Sequence, residues 1–218
     1  MIKIEDTHVD NIVRSVYSAR NAMNSWDKSD SDWKTDTLGE NDLALAKKLS
    51  KAGSDHAKYL RMINVSLDLT APLYFWKQFD QYKVGVTTNS CSTMHKIHDE
   101  KITIDDFSFD GHEDLEFDDE VYVDDYGQYM KFDELMVKLC EELRCKYLKT
   151  NDKRYWRYLI QLLPSSYNQK RTVQLNYQVL KSMYFARRNH RLDEWHTFCG
   201  WMETLPYFKE VCVDVCEV

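Results

Sequence analysis

Ile63-Asn64-Val65-Ser66-Leu67-Asp68-Leu69-Thr70-Ala71-Pro72-Leu73-Tyr74-Phe75-Trp76-Lys77-Gln78-Phe79 is the stretch on which the fold turns. Ile63, Val65, Leu67 and Leu69 alternate with Asn64, Ser66, Asp68 and Thr70, the period of two that a half-buried strand requires. Pro72 follows, with its fixed φ suited to the first turn of a helix whose body is Leu73 to Phe79. Tyr74, Phe75, Trp76 and Phe79 read as core. A strand therefore runs directly into a short helix.

Outward from that unit, Ile12, Val13, Val16 and Ala19 recur at helical spacing and predict a helix from about Val9 to Asn21. Asn24 to Asp36 is polar and reads as a loop. A second helix starts near Asn41 and stops before Gly53, a residue suited to the left-handed position after a helix. Lys83 to Thr88 is short and β-branched, hence extended. Phe132, Leu135, Met136, Leu139, Leu143 and Tyr147 mark the longest helix, and another runs through Trp156, Leu159, Ile160 and Leu163 to Pro164. Thr172 to Leu175 is short enough to open a helix through Arg188, and Leu192 to Glu203 is helical up to the break at Pro206.

The 218 residues fit one domain, taken as 1–218 with an acidic insertion at about 100–128. Net charge is −7, but Asp105 to Asp125 holds eleven acids and no Lys or Arg, leaving about +4 for the remainder. This acidic segment, with Phe107, Phe109, Phe117, Val121, Tyr122 and Val123, is either a strand pair at a sheet edge or an ordered loop. It lacks the ligand order of a calcium loop. Arg144 to Arg191 carries twelve Lys or Arg against Asp152 alone, which suits either a phosphorylated ligand or a solvated surface. Overall acidity and the lack of a zinc-finger or RNP-type motif argue against a nucleic-acid polymer as partner. No apolar run of about 18 residues is present, and Met1 to Asp6 lacks the order of a signal peptide, so a cytoplasmic location is expected. The six cysteines show no CxxC pair, and His95-x-x-His98 has no partner pair, so no metal site is expected.

Ala71-Pro72 through Lys77-Gln78 and Gln81-Tyr82-Lys83, then Thr87, Asn89 and Ser92, resembles one family element. In flavin-dependent thymidylate synthases an Ala-Pro helix ends in Arg-Gln and continues into Arg-His-Arg-x-x-Ser-x-Asn-x-x-Ser-x-Arg. The alignment needs one inserted residue after Lys83. Farther on, Leu163-Pro164, Tyr167-Asn168-Gln169, Thr172-Val173, Asn176, Leu180 and Arg187 resemble the family's C-terminal order. His190, Glu194 and Trp195 follow with a shift of one residue, and His56 resembles a histidine near the flavin. The chain differs at charged positions: Gln81-Tyr82-Lys83 replaces Arg-His-Arg, Met94 replaces the last arginine, and Ile160 stands at another, one turn from Arg157.

The resemblance implies an α+β fold with a mixed sheet flanked by helices, and a homotetramer. It also implies FAD as cofactor, methylenetetrahydrofolate and NADPH as substrates, and dUMP as methyl acceptor. By the same carry-over Gln78, Lys83, Asn89, Ser92 and Arg187 would bind the nucleotide. His56, Tyr82, Lys83, Asn176, Gln178, Ser182 and His190 would face the flavin. An arginine fork and backbone N–H groups suit a nucleoside monophosphate independently of kinship. Thr87 to Thr93 is rich in small polar side chains, which line pockets and also cap helices. Arg187-Arg188 fits a phosphate site or a solvated helix face, and Tyr82 a stacking ring or a surface position. Two functional classes stay open: a flavin-dependent enzyme acting on a pyrimidine nucleotide, and a non-catalytic binder of a nucleotide or partner protein on the same scaffold.

Overall fold

The structure is a computed structural model and describes residues 2–110, 120–122 and 129–216. In chain order its elements are β1 (Lys3–Asp10), α1 (Ile12–Ala19), α2 (Glu40–Lys51), β2 (Asn64–Pro72), α3 (Leu73–Phe79), β3 (Thr87–Ser90) and α4 (Thr93–Lys96). They continue with β4 (Glu120–Tyr122), β5 (Tyr129–Lys131), α5 (Phe132–Thr150), α6 (Lys153–Leu162), β6 (Asn168–Asn176), α7 (Tyr177–Arg187) and α8 (Asp193–Thr204). One sheet has the order β1-β2-β6-β3; β4 and β5 pair apart from it. The architecture is α+β, with helices and sheet as expected. Thr70–Phe79 and Ser90–Lys170 form one compact unit, and Ile2–Leu69, Asp80–Asn89 and the chain from Arg171 form a second.

In the second unit the alternation that defined β2 becomes burial, since Val65, Leu67 and Leu69 are all at 1% exposure or less. Val173 and Leu175 of β6, Leu180 and Met183 of α7, and Trp195, Phe198 and Met202 of α8 are buried as well. Each such side chain contributes roughly 1.5–3 kcal/mol when fully removed from water.

Two expectations change. The first helix begins at Ile12 because Lys3–Asp10 is a strand. That strand is at the edge of the sheet and mostly solvent-facing, so it has no apolar stripe to betray it. Thr172 to Leu175 belongs to strand β6 and not to a helix start. Its alternation, Thr172 and Gln174 exposed against Val173 and Leu175 buried, follows the polar stretch Asn168 to Arg171. Smaller shifts put Pro72 at the end of β2 and confine the extended part of Lys83–Thr88 to its last residues.

Helix α1 lacks a cap of its own: Asn11 is left-handed at φ 69° and makes no side-chain cap bond. Asp36 supplies the cap from a distance, its carboxylate accepting from the backbone N–H of Ile12 at 2.9 Å and of Val13 at 2.7 Å. Nearby, Arg20 and Asp42 form a buried ion pair at 2.6 Å, with side-chain exposures of 5% and 0%. Burial alone would raise the Asp42 pKa. The hydroxyls of Ser29 and Ser31 and the Arg20 guanidinium outweigh it and hold the carboxyl below its ordinary value.

In the first unit Phe75, Trp76 and Phe79 of α3 are buried, as read from the sequence, whereas Tyr74, also read as core, is half-buried. The Trp76 indole N–H donates to the Gln169 carbonyl at 3.0 Å. A core of Ile97, Ile102, Phe107, Cys140, Leu143 and Leu159 joins α5 and α6. Phe107 bridges to Tyr167 and stacks on Phe109 at 5.4 Å, so the start of the acidic segment is tied down by aromatic packing. Farther along, Glu120 pairs with Lys131 and Tyr122 with Tyr129 in an antiparallel register, so the acidic segment supplies one strand of a pair that stands apart from the main sheet and not at its edge. Phe117 and Val123 lie outside the described residues.

Removing one member of a buried pair leaves the other charge uncompensated. Asp42→Asn should therefore lose about 3–5 kcal/mol of stability in urea denaturation at pH 7. Because the folded pKa is depressed, the difference from wild type should vanish as pH falls through it, and an unchanged gap under acid would contradict this account.

Candidate functional site

Two cavities contain residues singled out from the sequence, one in each unit. In the first unit a cavity of about 630 Å³ is lined by Ser92, Thr93, Gln169 and Lys170 among others. Ser92 also caps α4, its hydroxyl accepting from His95 N at 3.3 Å. The turn before it is pinned by Gln169, which donates to the Cys91 carbonyl at 3.0 Å and the Thr93 hydroxyl at 3.3 Å. Lys96, Lys101 and Lys170 line this cavity together with Asp99, Glu100, Asp105 and Asp106. Lys96 is paired with Asp99 at 2.6 Å. The acids offset the lysines, so the lining does not favour a phosphate.

The second unit holds a cavity of about 660 Å³ with a different character. Its walls are Arg61, Gln81, Tyr82, Lys83, Val84, Gly85, Asn176, Gln178, Val179 and Ser182. Two are cations, and none of the described lining residues is Asp or Glu. The volume lies in the range of about 300–1,000 Å³ usual for small-molecule sites. Local structure explains how these residues converge. Asn176 ends β6 and caps α7, its side-chain oxygen accepting from Val179 N at 3.1 Å. Helix spacing then places Gln178 and Ser182 one turn apart on one side of α7. The Ser182 hydroxyl donates to the Gln178 carbonyl at 3.0 Å. The opposite wall is the loop after α3, where Gly85 adopts φ +76°. A Cβ at Gly85 would sit 3.1 Å from Asn176 Nδ2 and from Val179 Cγ2, a tight fit on a backbone conformation that favours glycine.

Behind Tyr82 lies an aromatic and cationic cluster. The Arg187 guanidinium carbon is 5.6 Å from the Tyr82 ring centroid and 5.0 Å from that of Trp195. Arg187 Nε donates to the Tyr82 hydroxyl at 3.0 Å. His190 stands 6.3 Å from Trp195, and its Nδ1 accepts from Leu192 N at 3.1 Å. Burial, then the positive charges of Arg187, His196 and Arg191, lower its pKa below 6.5.

The structure thus brings Tyr82, Lys83, Asn176, Gln178 and Ser182 to one cavity. Arg187 is adjacent to it through Tyr82, and His190 through Trp195. His56 is exposed in a turn closed by its N–H on the Gly53 carbonyl, and Asn89 is exposed on β3; neither is a lining residue. Gln78 is on α3 and Ser92 before α4, both in the first unit. Met94 is 55% exposed, its carbonyl accepting from the Trp156 indole. Arg61, Gln81, Val84, Gly85 and Val179 were not picked out from the sequence. Gln81 and Gly85 carried signals there, the first as part of the Gln81-Tyr82-Lys83 motif and the second as an isolated glycine in an otherwise extended run.

No family model matches the chain, and no curated protein matches it. Solved structures do. Thymidylate synthase X from Helicobacter pylori, solved with FAD and dUMP, superposes with TM-score 0.69 at 14% identity over 100% of both chains. The chain carries the flavin-dependent thymidylate synthase fold. A second structure of the Helicobacter pylori enzyme, also with FAD and dUMP, gives TM-score 0.68 at 15% identity over 98% of this chain and 99% of that one. The UMP/dUMP methylase PolB from Streptomyces cacaoi, bound with 5-Br dUMP, gives 0.60 at 15% identity over 97% and 91%. Among the described residues no helix is long and apolar enough to cross a membrane.

Gly85→Ala should cost about 1–2 kcal/mol in chemical denaturation, from the left-handed backbone alone, and should constrict the cavity further. The His190 imidazole should titrate below 6.5 by NMR, and Arg187→Ala should raise that value by removing a neighbouring positive charge. A His190 titration insensitive to Arg187 would separate the two groups.

Proposed function

We propose that this protein is a flavin-dependent thymidylate synthase-like protein that holds FAD in the second-unit cavity. The observation that carries this reading is the lining itself: two cations, an aromatic ring and three amide side chains, with no described carboxylate. A flavin nucleotide is a planar heteroaromatic ring on an anionic tail, and those groups answer its parts. Arg61 and Lys83 suit the phosphates, Tyr82 suits the ring, and Asn176, Gln178 and Ser182 offer polar partners to its edges. The reaction would be methylation of dUMP, with methylenetetrahydrofolate giving the carbon and NADPH the reducing equivalents. Bound flavin would supply hydride transfer.

The same scaffold leads us to propose a homotetramer. Met23, Trp26 and Trp33 are large apolar side chains exposed at 82%, 43% and 51%, of the kind that subunit contacts cover. Light scattering is expected to give four times the mass of one chain, and a monomer would end that part of the proposal.

A second reading, a non-catalytic nucleotide binder, is favoured by Gln81, Tyr82 and Met94, which remove charges from positions where the family carries them. One set of measurements separates the readings. Protein titrated with FAD should develop the perturbed visible spectrum of bound flavin, and Lys83→Ala or Arg61→Ala should weaken binding by about tenfold or more. Rescue of a thymidine auxotroph would then support the enzyme, and flavin binding without rescue the binder. Absence of FAD binding would sink the flavin reading.

A further inference from the structure

Arg187 stands where kinship would place a grip on the nucleotide phosphate, yet its guanidinium is turned to another use. It lies in the notch between Tyr82 and Trp195, whose ring centroids are 6.2 Å apart and whose planes meet at 64°. One of its donors is spent on the Tyr82 hydroxyl at 3.0 Å. Tyr82 lines the cavity; Arg187 is not among the lining residues, which draw their positive charge from Arg61 and Lys83.

We infer that Arg187 is a positioning residue that clamps the Tyr82 ring as a stacking wall of the cavity, so that it governs recognition of the ligand's planar ring and not of its phosphate. The inference rests on the flavin reading of that cavity for the identity of the ring. Three observations support the clamp. Trp195 is completely buried on α8 and packs on Phe198 at 6.0 Å, so the back of the notch is rigid. Tyr82 sits in the loop between α3 and β3, where its neighbours Gln81, Lys83 and Val84 are all exposed and give its ring little packing of their own. Arg187 provides what the loop does not: cation–π contact and a hydrogen bond together fix both the plane of the ring and its rotation. The ordering entropy of that side chain is then lost before a ligand arrives, which is how preorganisation improves affinity. Because the Tyr82 oxygen accepts from Arg187, its single proton remains to be donated elsewhere. A phosphate could take the Nε donor only by displacing the Tyr82 hydroxyl.

The test has two arms, one of them free of ligand. Replacing Tyr82 with 3-fluorotyrosine gives a fluorine resonance that reports the ring's environment in the full chain. Arg187→Ala should shift and broaden it. Arg188→Ala, which removes the same charge from the next position but faces Tyr184 and Phe185, should leave it unchanged. A resonance indifferent to Arg187→Ala overturns the clamp. Should that variant fail to fold, Arg187→Lys keeps the charge and loses the planar fork, and is expected to shift the signal in the same sense.

The second arm compares FAD with riboflavin, which has the ring but no phosphate. Arg187→Ala should weaken both by a similar factor of about tenfold. Weakening of FAD with riboflavin unaffected would make Arg187 a phosphate ligand and overturn the inference. If the wild type binds neither flavin while the fluorine signal responds as described, the flavin reading falls and the clamp stands.

Discussion

The polypeptide turns from β6 into α7 at Asn176, and one side chain holds that turn from two directions. Its oxygen closes the first turn of the helix, and its amide nitrogen would stand only 3.1 Å from a β-carbon at Gly85. The first contact decides where α7 begins, and hence which of its residues point at the cavity. The second decides how closely the loop after α3 can approach. Gln178 and Ser182 reach the cavity, and Arg187 reaches Tyr82, because the helix starts at Tyr177 and not a residue earlier or later. A slip of one position would rotate α7 by about 100° and turn these groups away.

The electrostatics of the chain are local. A net charge of −7 would repel an anionic ligand if it were spread evenly. Eleven of the acids fall between Asp105 and Asp125, and the second-unit cavity presents cations without described carboxylates. At physiological ionic strength screening limits each charge to about 8 Å, so the charges that a ligand in this cavity feels most are those of the lining itself. The first-unit cavity makes the contrast: its lysines are matched by acids in the same wall, and Lys96 is committed to Asp99.

Much of the fold was legible because its central strand is buried by alternation and its helices by periodicity. Strand β2, the α3 aromatics and helices α2, α5, α6 and α8 follow directly from apolar spacing. Strand β1 could not be read that way, since an edge strand is specified by backbone pairing and its side chains face water. Strand β6 was masked by Lys170 and Arg171 just before its apolar alternation. In the cavity, Tyr82, Lys83, Asn176, Gln178 and Ser182 were reachable through motif order. Arg61 was not, because a lone arginine ahead of a strand has no distinguishing pattern. The stacking of Arg187 on Tyr82 joins positions more than a hundred residues apart, a relation no local spacing encodes.

The sheet order β1-β2-β6-β3 also has a temporal side. As the chain leaves the ribosome, β2 can pair with β1 at once, but its other edge must wait for β6, which begins at Asn168. At roughly 5–20 residues per second the intervening stretch takes on the order of 5–20 s to make. Through that interval strand β2 has an unpaired edge, with Val65, Leu67 and Leu69 lacking the neighbour they are packed beside in the finished sheet. The strand that carries the lining residues to the cavity is therefore also the strand that ends the chain's exposure to misassociation.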